Sequence, residues 1–262
     1  MSASDLDARA TFAGELARAA GALGRRYFEG ELAFTAESKG ERQDWVSVAD
    51  YAVERYVRDA IAQRFPLETM LGEEGGGGVG ERLWVVDPID GTLNFVHGMR
   101  YWCVSIAYVE DGVRRAAAIY DPSQDELFTA AAGAGAFRNG APMRVSACAS
   151  LDRALISQGY VHRHDLDTHL RLRRTLLMAG AAVKDPGAGA LMLAHVAAGR
   201  FDAFWELTLA PWDIAAGIVL VREAGGVVTT ATGGDDMLRE GSVVAANPTL
   251  HKWLLDLLKN AE

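Results

Sequence analysis

The chain opens with apolar residues at helical spacing. Their period predicts one long helix with a single apolar face, formed by Phe12, Leu16, Leu23 and Tyr27. Residues 4–7 have the composition of a helix cap. We expect this first helix to serve packing alone. A second helix is predicted to begin at Ser47 and to stop at Pro66.

Apolar runs separated by turn residues then predict a largely antiparallel sheet. Residues 83–86 are typical of a short buried strand, which Pro88 should end at Asp87 because proline cannot donate to the ladder. Residues 103–109 and 113–120 predict a hairpin, since Glu110-Asp111-Gly112 lies between them. The glycines at 75–78 predict a mobile surface loop.

The pattern changes near residue 147 to alternating strands and helices. Strands are predicted at residues 154–158, 181–184 and 203–206, and helices at 169–178, 189–198 and after Pro211. This alternation predicts a second layered sheet. We therefore expect an N-terminal α+β half, residues 1–146, and a C-terminal α/β half, residues 147–262.

Composition narrows the class of protein. Half of the 262 residues are hydrophobic, yet no apolar run reaches the ~18 residues that span a bilayer. The first residues lack the basic start and apolar centre of a secretory signal, so we expect a cytoplasmic protein with no membrane partner. A net charge of −9 makes nucleic acid an unlikely partner. Cys103 and Cys148 are too few for a disulfide framework or a zinc site.

Candidate chemistry follows the predicted strand at 83–86. Asp87 and Asp90 lie three residues apart across a sharp turn and can converge on a hard cation. Asp90, Gly91 and Thr92 are predicted to form a cap that opens a helix, whose amides could hold an anion. Aspartate, proline and glycine also form turns for local reasons, so these residues alone leave a plain turn as the alternative.

Two motifs resemble signatures of a known family. Residues 84–92, Trp-Val-Val-Asp-Pro-Ile-Asp-Gly-Thr, resemble the first signature of the inositol monophosphatase family of Mg²⁺-dependent, lithium-sensitive phosphatases. Residues 212–217 and 223–226 resemble the second, and the similarity runs from the first helix to the last strand. The resemblance implies the α+β class, with a layered αβαβα sandwich of the sugar-phosphatase type in which helix pairs flank two sheets. It also implies a homodimer.

The resemblance also implies a set of metal ligands. Glu73, Asp87 and the Ile89 carbonyl would bind one Mg²⁺, and Asp87, Asp90 and Asp213 would bind a second. The N-terminal half would thus carry most of the ligands and the C-terminal half would carry Asp213. Oxygen ligands of this kind select Mg²⁺ or Mn²⁺ over zinc.

Catalytic and substrate-binding residues are implied in the same way. Glu73 and Thr92 would orient the attacking water, with Asp50 behind them, and residues 39–50 would form a mobile loop and helix start over the metals; a solvated loop is the alternative for Lys39 and Asp44. Glu74 is either functional or only a neighbour that stabilises the turn. The implied substrate contacts are Asp90, Gly91, Thr92, Ala188, Gly189 and Glu206.

The segment at residues 184–190 departs from the family pattern and leaves the substrate open. Lys184 stands where the family commonly has arginine, and Ala188 lacks the usual hydroxyl. Inositol 1-phosphate is the first expectation, because residues 94–97 and 205–213 resemble the inositol branch. Histidinol phosphate, an amino-alcohol ester, is the alternative. A regulatory binding protein on an idle phosphatase fold is a hypothesis of another class.

Overall fold

The computed structural model describes residues 3–40, 45–160 and 165–259. The helices in these ranges are α1 Ala3–Phe28, α2 Val48–Arg64, α3 Thr92–Val96, α4 Leu166–Met178, α5 Gly189–Ala197, α6 Pro211–Glu223, α7 Met237–Glu240 and α8 Pro248–Lys259. The strands are β1 Ala36–Ser38, β2 Trp45–Ser47, β3 Thr69–Gly72, β4 Gly76–Gly77, β5 Arg82–Asp90, β6 Cys103–Glu110, β7 Val113–Asp121, β8 Glu126–Ala131, β9 Gly135–Arg138, β10 Ala141–Pro142, β11 Leu155–Gln158, β12 Ala182–Lys184, β13 Ala203–Glu206, β14 Val227–Thr229 and β15 Val243–Ala246.

Two sheets organise the described residues. The larger has eight strands in the order β10-β9-β8-β7-β6-β5-β3-β4, and its pairs are antiparallel except for β3 with β5. The smaller has five strands in the order β12-β11-β13-β15-β14 and mixes parallel with antiparallel pairs. β1 and β2 form a separate two-stranded sheet. The predicted hairpin is confirmed, with Asp111 and Gly112 both at positive φ in the turn between β6 and β7.

Helices form three layers around the sheets. α1 and α2 cover one face of the larger sheet, α5 and α6 lie between the two sheets, and α4 and α8 cover the outer face of the smaller sheet. The core is continuous through the central layer, where Leu193, Ile214 and Ala245 are fully buried. The predicted αβαβα sandwich is confirmed. None of the described helices has the length and apolarity needed to cross a bilayer.

Strand β5 does not end before Pro88, as the sequence predicted. It continues through Pro88 to Asp90, so the expected stop at Asp87 is wrong. Pairing with β3 ends at Val86, which removes the need for an amide donor on that side at residue 88. On the other side the register shifts between Asp87 and Asp90, as in a β-bulge, so the ladder accommodates the proline.

Two other local expectations are corrected. α1 already includes Ser4, so residues 4–7 are not a cap outside the helix; Asp5 instead lies in its first turn, where a negative charge favours the helix dipole. The glycine run is not a loose loop, because Gly76 and Gly77 form β4 and pair with β3. Gly77 has φ 154°, and a Cβ there would lie 1.8 Å from the Met70 carbonyl oxygen, so only glycine fits.

Candidate metal centre

The bulge in β5 brings two acids to the same side of the sheet. Trp84 and Val86 pack against the α1 and α2 layer, whereas Val85 faces the central layer, and alternation therefore turns Asp87 toward the central layer. Asp90, three residues later, would face the opposite side of a regular strand. Because Asp87 pairs with Ser105 and Asp90 with Cys103, β5 has one residue more than its partner, and both acids face inward.

The third acid comes from α6, which packs between the sheets. Pro211 starts this helix, and the Asp213 carboxylate accepts a hydrogen bond from the Ala210 amide at 2.7 Å. One carboxylate oxygen each of Asp87, Asp90 and Asp213 lies within 4.8 Å of the others. Residues far apart in the sequence thus converge on a volume that one cation could occupy.

Burial makes this group of acids electrostatically unfavourable on its own. Burial, together with the charges of Glu73 and Asp90, raises the pKa of Asp87 well above its ordinary value. Burial raises the pKa of Asp90 to about 6, although the Leu191 amide opposes the rise by donating to this carboxylate at 3.1 Å. A cation that neutralises the acids removes this cost, so a set of hard oxygen donors here suits a divalent ion.

Glu73 lies in the turn between β3 and β4, beside this group rather than within it. Lys39 Nζ donates to Glu73 Oε1 at 3.0 Å and to Glu74 Oε1 at 2.7 Å, so Lys39 is not simply a solvated loop residue. Burial raises the pKa of Glu73 to about 7, opposed by the charge of Lys39 and reinforced by that of Asp213. Glu73 therefore lies within electrostatic reach of the three acids. Asp44 lies outside the described residues.

Asp50 and Thr92 form a second polar contact at the site. Ser47 caps α2, its amide donates to Asp50 Oδ2 at 2.7 Å, and the Ala49 amide donates back to Ser47 Oγ at 3.2 Å. The other Asp50 oxygen is 3.2 Å from Thr92 Oγ1, which also lies 3.0 Å from the Ile89 carbonyl oxygen. Burial raises the pKa of Asp50, and the hydrogen bonds from Ser47 oppose the rise.

The start of α3 lies at the end of β5, as predicted. Gly91 precedes the helix in a left-handed conformation, with φ 90°, and a Cβ there would lie 3.0 Å from the Tyr101 carbonyl oxygen. Asp90 does not cap α3. Its oxygens accept from the Gly189 and Leu191 amides at 3.0 and 3.1 Å, which ties β5 to the start of α5.

Predicted substrate contacts lie around the same centre. The Gly189 amide donates a hydrogen bond to the Asp90 carboxylate, and Ala188 lies against Gly91. Glu206 ends β13 and is buried; burial and the charge of Asp213 raise its pKa well above the ordinary value. A Cβ on Gly159 would lie 1.9 Å from a Glu206 oxygen, so glycine makes room for this carboxylate.

Three residues at the site escaped the sequence-based prediction. Cys103 Sγ lies 3.4 Å from Asp90 Oδ2, and the exposed Asp185 lies near enough to raise the pKa of Glu206. Glu54 accepts from the amides of Glu74 and Gly75. One signal for Glu54 was present, because it follows Asp50 by four residues and so lies on the same face of α2.

Comparisons with known proteins give relatives over nearly the whole chain. A sequence model of the inositol monophosphatase family matches residues 5–262. The protein named Nus factor SuhB from Pseudomonas aeruginosa is 41% identical over 252 residues, covering 93% of each chain. The inositol-1-monophosphatase of Rhizobium meliloti is 42% identical over 221 residues, covering 82% of this chain and 83% of that protein. The solved IMPase structure of Thermotoga maritima superposes with a TM-score of 0.89 at 34% identity, covering 97% of both chains.

Proposed function

The chain belongs to the inositol monophosphatase family, and from that premise we propose that it is a Mg²⁺-dependent phosphomonoesterase. Its substrate is a small polyol phosphate, with inositol 1-phosphate as the first candidate. The observation that carries the proposal is the convergence of Asp87, Asp90 and Asp213 within 4.8 Å. Two buried acids and one half-buried acid at that separation favour a bound divalent cation.

The proposal includes two ions. Glu73, Asp87 and the Ile89 carbonyl would hold one Mg²⁺, and Asp87, Asp90 and Asp213 would hold the other, with Mn²⁺ as an acceptable substitute. Bound divalent cations would neutralise charge on the phosphoryl oxygens and on the leaving alkoxide, and favour deprotonation of water. No serine or cysteine nucleophile is then required.

Thr92 and Asp50 would orient the attacking water. The Thr92 hydroxyl has one proton and two acceptors close by, Asp50 Oδ1 at 3.2 Å and the Ile89 carbonyl oxygen at 3.0 Å. Donating that proton leaves the Thr92 oxygen able to accept a hydrogen bond from water. Glu73, whose pKa is raised to about 7, would accept from the same water, and the Gly91 and Thr92 amides would hold the phosphate.

The alcohol part of the substrate would lie toward Glu206, Ala188 and Gly189. Glu206 is a buried carboxylate able to accept from substrate hydroxyl groups. The acidic surroundings of Glu206 and Asp185 would also suit an amino alcohol, which keeps histidinol phosphate as the alternative. The missing hydroxyl at Ala188 bears on the choice of substrate more than on the reaction.

Phosphate release from a panel of esters tests the proposal. Inositol 1-phosphate, histidinol phosphate, a sugar phosphate and a nucleotide 3′-phosphate are each incubated with the protein, with Mg²⁺ or with a chelator. We expect Mg²⁺-dependent release that is fastest for inositol 1-phosphate. Faster release from histidinol phosphate would favour the alternative substrate, and no release from any ester would overturn the phosphatase proposal.

A binding role is a second candidate, because the relative that is 41% identical is named a Nus factor. A chain that acts only by binding would release no phosphate in the panel above. We also propose that the protein is a cytoplasmic homodimer inhibited by lithium. Light scattering on the purified protein tests the dimer, and Li⁺ titration during phosphate release tests the inhibition.

A further inference from the structure

Glu54 is a buried acid to which the proposed reaction gives no role. It lies on α2, and its side chain is 4% exposed. Glu54 Oε2 accepts from the Glu74 amide at 2.7 Å, and Oε1 accepts from the Gly75 amide at 2.8 Å. These two amides directly follow Glu73 in the chain. A single carboxylate therefore holds the turn that carries a predicted metal ligand.

The backbone of this turn closes tightly around the Glu54 carboxylate. A Cβ on Gly72 would lie 2.5 Å from Glu54 Cδ, and one on Gly75 would lie 2.5 Å from Oε1. Glycines on both sides of Glu73 thus permit the close approach. Arg58 Nη2 donates to Glu54 Oε1 at 2.7 Å and to the Gly76 carbonyl at 2.9 Å, fixing the carboxylate from its other side.

Among the described residues, Glu54 does not belong to the three acids whose carboxylate oxygens lie within 4.8 Å of one another. Both of its oxygens already accept hydrogen bonds from amides or from a guanidinium group. It also lies on the same face of α2 as Asp50, since the two are four residues apart. Asp50 contacts Thr92, so one rigid helix reaches both the water-orienting pair and the turn that carries Glu73.

We propose that Glu54 is a positioning residue, which sets where the Glu73 carboxylate lies relative to Thr92 by holding the amides of Glu74 and Gly75 against α2. This inference rests on the proposed function, in which Glu73 binds a divalent cation. Partners of this kind orient metal ligands, and their loss typically weakens metal binding about 10- to 100-fold. Glu54 affects the cation only through Glu73.

Glu68 provides a matched control for a purely structural role. Its side chain is 3% exposed, and it accepts hydrogen bonds from Arg9 Nε at 3.1 Å and from Trp84 Nε1 at 2.8 Å. These partners belong to the core between α1 and the larger sheet. Glu68→Gln should therefore lower the unfolding temperature without changing metal affinity.

The test compares Glu54→Gln with Glu68→Gln and the wild type. Glutamine fills the same space but replaces one acceptor oxygen with an NH₂ donor, so one of the two amides loses its acceptor. We expect the Mn²⁺ dissociation constant from calorimetry, and the Mg²⁺ concentration for half-maximal phosphate release, to rise about 10- to 100-fold. Turnover at saturating Mg²⁺ should fall far less, and hydrogen exchange at the Glu74 and Gly75 amides should accelerate.

Gly75→Ala is the second variant, because it keeps the Glu54 carboxylate and displaces it from the turn. It should weaken Mn²⁺ binding in the same way. The inference is overturned if folded Glu54→Gln binds Mn²⁺ as tightly as the wild type. If Glu54→Gln does not fold, the same result for Gly75→Ala overturns it. In either case, phosphate release by the wild-type protein still upholds the proposed function. A wild-type protein that neither binds Mn²⁺ nor releases phosphate would overturn both.

Discussion

At the scale of single residues, the site concentrates negative charge where water is largely excluded. Asp87 and Asp90 are 2% and 6% exposed, and each raises the energy of its ionised neighbours. The Lys39 side chain forms ion pairs with Glu73 and Glu74, and these pairs leave the charges of the three aspartates uncompensated by Lys39. Substitutions of individual acids should therefore affect metal binding far more than folding.

Asp90→Asn should lower Mg²⁺-dependent phosphate release by more than about 100-fold, because it would remove a charged ligand from the second of the two proposed ions. An amide can still accept from Gly189 or Leu191, so the fold should persist. Asp121→Asn is the control, since Asp121 is also buried but accepts from the Ser123 and Gln124 amides outside the site. Near wild-type release by Asp90→Asn would contradict the ligand assignment.

Without metal, the protein should become less stable as pH rises from about 4 to about 7. Burial raises the pKa of Asp90 from 3.8 to about 6, so the folded state binds more protons than the unfolded state in this interval. Stability is thus highest with the acid protonated, and ionisation costs roughly 3 kcal/mol at Asp90 alone. Thermal unfolding at pH 5 and pH 7.5 in a chelator measures about half of this loss, because the loss begins near pH 4.

The effect of Asp90 must be separated from that of other titrating groups, and two comparisons do this: chelator against Mg²⁺, and the wild type against Asp90→Asn. His195, whose pKa burial lowers to about 4, gives the opposite dependence, because its folded form binds fewer protons below its ordinary pKa. Mg²⁺ should reduce the loss at pH 7.5 by neutralising the ionised acids, and Asp90→Asn should show a smaller loss than the wild type in chelator. Equal losses in the two metal-free proteins would argue against a titration at Asp90.

At the scale of single elements, β5 and the short hairpin of β3 and β4 set the geometry of the site. The start of α2 was predictable because its cap is local: Ser47 and Asp50 bond within four residues of each other. The β5 bulge was not, because it depends on pairing with β6 far along the sequence. The contact of Glu54 with the turn at Glu73 is likewise set by packing between elements.

Gly77→Ala should destabilise the fold by about 1–3 kcal/mol, because the new Cβ would overlap the Met70 carbonyl and force β4 away from β3. Gly78→Ala is the matched control, since its nearest neighbour is a Thr69 methyl at 4.0 Å. Urea unfolding of both variants measures the difference. Equal stability of the two variants would show that β4 does not pair as described.

At the scale of the whole molecule, α5 and α6 join the two sheets. The order of the layers was predictable through the family resemblance, because periodicity alone indicates elements and not how they stack. The separation of the chain into halves at residue 147 remains a prediction. The core that surrounds α5 and α6 contains buried residues from both sheets, including Ile119 and Ala245.

Gly217→Ala should test the contact between these central helices. A Cβ at this position would lie 2.4 Å from Leu193 Cβ, which belongs to α5 and cannot move without shifting that helix. We expect a loss of about 1–3 kcal/mol in the free energy of unfolding. Gly14→Ala, also inside a helix but 3.3 Å from a flexible Leu127 methyl, should be close to neutral, and similar losses for both variants would contradict the close approach.

The three acids reach the pocket from distant parts of the polypeptide, and this has a consequence for biosynthesis. Asp87 and Asp90 emerge from the ribosome long before Asp213. A nascent chain that ends before α6 therefore carries two of these carboxylates without the third. It should bind the proposed divalent ion only weakly until translation has delivered the helix that completes the set.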